Sequence, residues 1–218
     1  MKFSVSEENY IKSIYHLQAT HERVNTTILA GKIRTKAASV TDMLKKLKKK
    51  KLVDYEPYKS FILTDEGLKV ALSIIRKHRL WEFFLVSKLN FNWNEIHDIA
   101  EELEHINSPE LITRLDAFLG FPSFDPHGDP IPNSKGKMAT IKRINLLELP
   151  LKKNATVSYI QDQSASMLDL LKHHKISIGS KMKTVRKFDF DGSVEIKMTD
   201  GPAFVLSQLV AKNIYCVL

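Results

Sequence analysis

Lys36-Ala-Ala-Ser-Val-Thr-Asp-Met-Leu-Lys-Lys-Leu-Lys-Lys-Lys-Lys-Leu-Val-Asp-Tyr-Glu-Pro-Tyr-Lys-Ser-Phe-Ile-Leu63 decides how this chain folds. Val40, Met43, Leu44 and Leu47 recur at spacings of three, one and three, which predicts an amphipathic helix from about Lys36 to Lys50. Two β-prone runs follow, Leu52–Glu56 and Phe61–Thr64, joined by Pro57-Tyr58-Lys59-Ser60, and they read as a hairpin. Upstream, Thr27 is expected to cap a short helix through Ile28, Leu29, Ala30 and Ile33, separated from the next by a turn at Arg34-Thr35. Further back, Ser4-Val5-Ser6-Glu7 fits a capping box opening a helix with Tyr10, Ile11, Ile14 and Leu17 inside, which polar residues 20–26 end. Three helices and a hairpin, the second and third helices closely joined, make a winged helix-turn-helix.

That arrangement gives the lysines a task. A lysine run alone is commonly a solvated face, but Lys45–Lys51 ends a candidate recognition helix and precedes a wing. Thr35, Lys36, Ser39, Thr41 and Asp42 stand where side chains reach base edges in a major groove. Lys46, Lys48 and Lys49 would hold phosphates, with Tyr58, Lys59 and Ser60 of the wing tip on the DNA backbone.

Downstream, Asp65-Glu66-Gly67 opens a long helix to about Lys88. Asn92-Trp93-Asn94 caps another that Ser108-Pro109 ends, and residues 109–119 form one more. Residues 121–136 are rich in Pro and Gly and read as an ordered loop or linker. Beyond residue 143 come the β-prone runs Ala155–Ile160, Lys181–Phe188, Ser193–Lys197, Ala203–Leu206 and Asn213–Leu218, interrupted by a helical patch, Ala165–Lys172. With turns at Gly179, Asp191-Gly192 and Asp200-Gly201, they fit a five-stranded SH3-type barrel. The expected fold class is mainly α with a β C-terminal domain. Residues 1–73 are expected to form the winged helix, 74–140 a helical domain, and 141–218 a linker and an SH3-like domain.

The middle segment carries the chemistry. Glu95-Ile-His-Asp-Ile-Ala-Glu-Glu-Leu-Glu-His105 places His97, Glu101, Glu104 and His105 close to one helical face, and His78 and Glu82 repeat the pairing at i,i+4. One His–Glu pair is ordinarily a solvated ion pair, and Ile96, Ile99, Leu103 and Ile106 would give the helix a core stripe without any metal. Six such side chains on two helices instead form an N/O donor set for a divalent transition metal.

Charge follows the same division. The chain has 218 residues, 43% hydrophobic, and a net charge of +8. Residues 1–73 carry 14 basic and 8 acidic groups, 74–140 carry 7 and 10, and 141–218 carry 12 and 7. A polyanion would dock on the basic start and a cation in the acidic middle. Cys216, the single cysteine, sits in an apolar run and reads as a core residue. No run is long enough to span a membrane and Met-Lys-Phe-Ser-Val-Ser-Glu-Glu is no signal peptide, so a cytoplasmic protein with no membrane partner is expected.

The segments Tyr10–Tyr15, Arg76–Glu82, His97–His105 and Asp125-Pro-His-Gly-Asp-Pro-Ile-Pro132 together resemble the diphtheria-toxin-repressor family of metal-dependent transcription regulators, closest to its manganese-responsive branch. The resemblance covers nearly the whole chain. It implies that residues 74–140 are a helical metal-binding and dimerisation domain and 141–218 a linker and an SH3-like (FeoA-like) domain, in a homodimer that binds palindromic operator DNA when loaded with Mn²⁺ or Fe²⁺. By position it implies a primary site of Glu101, Glu104 and His105, with Asn9 from the first helix, where the family has Asp or Met, and His78. Glu8 is an alternative to Asn9, and Lys12 stands where members with a closely spaced metal pair carry Glu. A second site would draw on Glu82, His78 or His97, with His127 and Asp125 from the Pro-rich loop, completed by Asp162 or Gln163. Asp125 stands where relatives often carry Cys, and Glu101 where the iron-responsive branch does.

The alternative is a winged-helix regulator that needs no metal, its His/Glu stripe being a salt-bridged surface. A metallohydrolase, which would need a small-molecule substrate, finds no His-Glu-x-x-His, Gly-rich phosphate loop or nucleophile elbow here, so no enzyme is expected.

Overall fold

The structure, a computed structural model, describes residues 2–21, 23–56, 59–93, 95–199 and 201–218. Tyr58 of the expected wing tip, Asn94 of the expected cap and Asp200 of an expected turn lie outside the described residues. The chain forms two compact units, one of Met1–His78, Glu101–Ile112 and Pro132–Lys137, the other of Arg79–Ala100, Thr113–Ile131 and Met138–Leu218.

The first unit begins with α1 (Val5–Thr20). Ser4 accepts from the Glu7 amide while the Glu7 carboxylate accepts from the Ser4 amide, the expected capping box. α2 (Thr26–Ile33) is capped by Asn25, which accepts from Ile28 N–H at 2.9 Å. That corrects the expected cap at Thr27: both are good cap residues, and the longer helix uses the earlier one. Arg34, in the left-handed conformation at φ 57°, turns the chain into α3 (Ala37–Lys49). Val40, Leu44 and Leu47 of α3 are fully buried against Ile11 and Ile14 of α1 and Leu29 of α2 in one apolar core. β1 (Val53–Asp54) pairs antiparallel with β2 (Ile62–Leu63) as the base of the wing. Gly67, at the start of α4 (Asp65–Leu89), lies so near this base that a Cβ there would fall 2.0 Å from the Leu52 carbonyl oxygen.

α5 runs only from Ile96 to Leu103, shorter than the expected helix to Ser108. The Ile106 amide closes a tighter turn on the Leu103 carbonyl at 3.1 Å. Glu104 is thereby fully buried while Ile106, expected in the core stripe, is 37% exposed. α6 spans Pro109–Phe118.

The second unit holds a six-stranded antiparallel sheet in the order β3-β8-β4-β5-β6-β7. Its strands are β3 (Ile144–Asn145), β4 (Asn154–Ile160), β5 (Lys181–Lys187), β6 (Val194–Met198), β7 (Ala203–Leu206) and β8 (Ile214–Val217). The two-residue β3, paired with Cys216 and Tyr215, makes it six strands where five were expected. Register shifts between Val157 and Tyr159 and between Thr184 and Arg186 mark bulges, which bend and twist strands of a small SH3-like sheet. Helix α7 (Ala165–His173) buries Met167, Leu168 and Leu171 against the sheet's inner residues, among them Val157, Ile160, Ile196 and Ile214, and α8 (Gln208–Ala211) leads into β8.

Candidate metal centre and nucleic-acid face

Within the first unit, three elements converge. α1 presents Glu8, Asn9 and Lys12, α4 presents Lys77 and His78, and the end of α5 with its turn presents Glu101, Glu104 and His105. His78, Glu101 and Glu104 offer ligand atoms that all lie within 4.8 Å of one another. His78 Nδ1 is 2.6 Å from Glu104 Oε2 and 3.9 Å from Glu101 Oε2. His105 Nδ1 is 2.6 Å from Glu8 Oε2, and its Nε2 is 3.8 Å from Glu104 Oε1. Lys77 Nζ stands 3.5 Å from Glu8 Oε1. The Lys12 ammonium lies between the two carboxylates, 2.5 Å from Glu101 Oε2 and 2.6 Å from Glu104 Oε1.

Electrostatics hold this cluster together. Burial alone pushes the Glu104 carboxyl up, but the hydrogen bond from His78 and the charge of Lys12 outweigh it and hold the group below the ordinary carboxylate range. Asn9 Oδ1 is buried and accepts no hydrogen bond, an oxygen with a lone pair to give. Two carboxylates that already hold a cationic nitrogen, with two imidazoles and an unsatisfied amide oxygen, fit a hard or borderline divalent ion such as Mn²⁺ or Fe²⁺.

A second set lies in the other unit. Glu82, buried, has His97 Nδ1 at 3.5 Å and the buried His127 Nε2 at 4.0 Å from its Oε1. His127 stacks on Trp93 with ring centroids 5.7 Å apart. Asp125 is placed differently. Its Oδ1 accepts from the amides of His127 and Asp129, each at 2.9 Å, and its Oδ2 faces Arg79 Nε at 3.5 Å. It therefore ties the Pro-rich loop together and to α4. Burial, and the charges of Asp129 and Glu82, push its carboxyl well above the ordinary range despite Arg79. Gln163 donates to Asp129 at 2.6 Å, and Asp162 accepts from the Ser164 amide. The loop lies directly on β4: Ile160 N–H donates to the His127 carbonyl at 3.1 Å, and a Cβ on Gly128 (φ 89°) would meet the Ser158 carbonyl oxygen at 2.1 Å.

The expected DNA face is largely open. Thr35, Lys36, Ser39, Asp42, Lys46, Lys48, Lys49 and Lys59 are exposed, and Ser39, Asp42, Lys46 and Lys49 follow one another along one side of α3. Thr41 is half-buried, its hydroxyl donating to the Ala37 carbonyl at 3.0 Å. Lys48 donates to the Tyr55 carbonyl at 2.7 Å and so holds the helix to the wing. Lys59 pairs with Glu56 at 2.6 Å.

Sequence reasoning did not foresee the placement of Lys77 and Arg79, and it put Lys12 at a metal-site position without foreseeing its pairs with Glu101 and Glu104. Glu8 and Lys12 stand at i,i+4 and look like an ordinary helix-surface pair. In the fold each turns instead to a partner about ninety residues away, Glu8 to His105 and Lys12 to Glu101 and Glu104.

Comparison with known proteins covers the chain end to end. Residues 2–61 match the iron dependent repressor N-terminal DNA binding domain, 64–133 the iron dependent repressor metal binding and dimerisation domain, and 136–218 the FeoA domain. A solved manganese-dependent transcriptional repressor in complex with manganese is 36% identical, with 97% of this chain and 99% of that chain covered and a TM-score of 0.82. The regulator MntR of Oceanobacillus iheyensis is 34% identical over 110 residues, which make up 50% of this chain and 74% of that protein. A probable metal transport system membrane protein of Chlamydia trachomatis is 49% identical over 75 residues, 34% of this chain and only 17% of the length of that protein.

Proposed function

The chain belongs to the iron-dependent repressor family of metal-dependent DNA-binding transcriptional repressors, and from that premise we propose that it is a cytoplasmic Mn²⁺- or Fe²⁺-responsive repressor acting as a homodimer on palindromic operator DNA. The observation that carries this reading is the cluster of His78, Glu101, Glu104 and His105 against Asn9 and Glu8 of α1. The first helix belongs to the DNA-binding fold, whereas Glu101, Glu104 and His105 come from the segment that matches the metal-binding domain. Glu101, Glu104, His105 and His78 would hold the ion, with Asn9 or Glu8 as the ligand from α1. A bound ion supplies charge that draws these oxygens and nitrogens together, and so links α1 to the region that sets the dimer. Glu82, His97 and His127 offer a second site, with Asp125 shaping the loop beside it.

The sequence organisation follows the same logic: a DNA-binding domain over 1–73, a metal-binding and dimerisation domain over 74–140, and an SH3-like domain within 141–218. Thr35, Lys36, Ser39, Thr41 and Asp42 meet bases, and Lys46, Lys49 and Lys59 meet phosphates. Regulation of this kind needs no catalytic step. Among the described residues, no helix is long and apolar enough to cross a membrane.

A second reading has one observation in its favour. Lys12 already pairs with both Glu101 and Glu104, so part of the cluster's negative charge is balanced without metal, as a metal-independent regulator would require. Operator binding titrated with Mn²⁺, Fe²⁺ and Mg²⁺ separates the two. Mn²⁺ and Fe²⁺ raise operator affinity and Mg²⁺ at equal concentration does not, because Mg²⁺ prefers water and oxygen to imidazole. Equal affinity under all three metals and in chelator would leave the metal-independent regulator standing.

A further inference from the structure

We propose that Lys12 is a resident cation of the metal centre, which closes the site around its own ammonium and so sets how much divalent metal is needed to open it. This rests on the reading of the cluster as a metal site and names how that site is regulated. Lys12 is 12% exposed at its side chain, Glu104 is fully buried, and the ammonium contacts one oxygen of each carboxylate. An ion held by Glu101 and Glu104 would draw on the same two carboxylates. Ammonium and dication then compete, because two cations on one pair of carboxylates, Glu104 buried and Glu101 partly exposed, repel at close range.

The lysine has somewhere to go. Its stem is flexible and its head is strongly hydrated, so the ammonium can swing to solvent when an ion replaces it. Until then the site is competent only for the fraction of time that Lys12 is away. The apparent dissociation constant is raised by the reciprocal of that fraction. The contact has a second consequence. In the absence of metal, Lys12 ties α1 to the end of α5 through one ammonium alone, and an ion that displaces it replaces that tie with bonds to several donors at once. Glu8, Glu101 and Glu104 carry three negative charges and Lys77 on Glu8 offsets one, so with Lys12 displaced two remain, which balance a single divalent ion at this cluster.

The test is calorimetric titration of Mn²⁺ into the full chain. Wild type is compared with Lys12→Gln, which keeps a hydrogen-bond donor without charge, and Lys12→Met, which keeps length alone, so that either variant gives a reading if the other folds poorly. Lys12→Arg keeps the charge. Glu104→Ala, run in parallel, identifies the binding step that belongs to this cluster. The uncharged variants bind Mn²⁺ in that step more than threefold tighter than wild type, Lys12→Arg does not, and the metal-free melting temperature falls when the charge is lost. An affinity within threefold of wild type in the uncharged variants, or weaker, overturns the role given to Lys12. If Glu104→Ala abolishes no binding step, the metal-centre reading fails instead, and the two failures are told apart.

Discussion

Glu7 shows how a single carboxylate couples local and tertiary structure in the DNA-binding fold. It closes the capping box of α1 and pairs with Lys50 at 2.6 Å, beyond the end of α3. Burial pushes its carboxyl up, but Lys50 and the Ser4 amide outweigh that and hold it below its ordinary value of 4.5. A group depressed on folding stabilises the fold above its unfolded pKa and loses that contribution as pH falls through the lower folded value. Glu7→Gln keeps a capping side chain and loses the charge. It is expected to be less stable than wild type by about 0.5 kcal/mol near neutral pH. The gap closes as pH drops below 4.5, as equilibrium unfolding across pH 7 to 3 would show. A gap that stays constant with pH would mean that the Lys50 pair contributes nothing. Cys216, by contrast, is inert: burial pushes its thiol up to about 11.

At the scale of elements, α3 divides its lysines between two tasks. Lys46 and Lys49 face solvent, whereas Lys48 reaches the Tyr55 carbonyl of the wing. Replacing Lys46 and Lys49 together with Ala is expected to weaken binding to all DNA sequences alike. It should also reduce the slope of log affinity against log salt by about 0.9 for each phosphate that is no longer neutralised. Lys48→Ala is expected to cost about 1 kcal/mol of fold stability instead. A change in sequence preference with an unaltered salt slope would contradict the placement of the helix. The contrast also shows what could be read from sequence. The capping box, the Val40-Leu44-Leu47 spacing and most of the C-terminal strands were legible because their determinants are local. The early end of α5 was not. Its apolar period continues through Ile106, and the partners that take Glu104 out of the helical series, Lys12 and His78, lie far away in sequence. β3 was invisible because two residues carry no period. The candidate site was legible as a set of donors, but its geometry was not. Asp125 looks like a ligand in sequence and also ties the loop together, while the pairing of Lys12 with two carboxylates about ninety residues away leaves no local signal.

For the whole molecule, dimerisation, metal and DNA act on one equilibrium under the proposed function. Trp81, Leu85 and Leu115 are buried within the subunit, whereas Phe118 at 64% and Phe121 at 67% are exposed, and we propose these two as apolar surface for a partner copy. A single recognition helix reads few base pairs, and a two-fold dimer doubles the readout on a palindrome. Phe118→Glu is expected to shift the sedimentation mass at micromolar concentration from dimer towards monomer and to weaken operator binding at least tenfold. A fully dimeric variant would move the interface elsewhere. Metal that favours the DNA-binding arrangement must gain affinity from DNA by the same factor that DNA gains from metal. The central claim is that the ion held by Glu101, Glu104, His78 and His105 supplies that coupling. It is tested most directly by operator affinity for wild type and Glu104→Ala, each at saturating Mn²⁺ and in chelator. Mn²⁺ should tighten wild-type binding by roughly tenfold or more and leave Glu104→Ala unchanged, with both proteins folded. The same affinity in all four measurements would contradict the account.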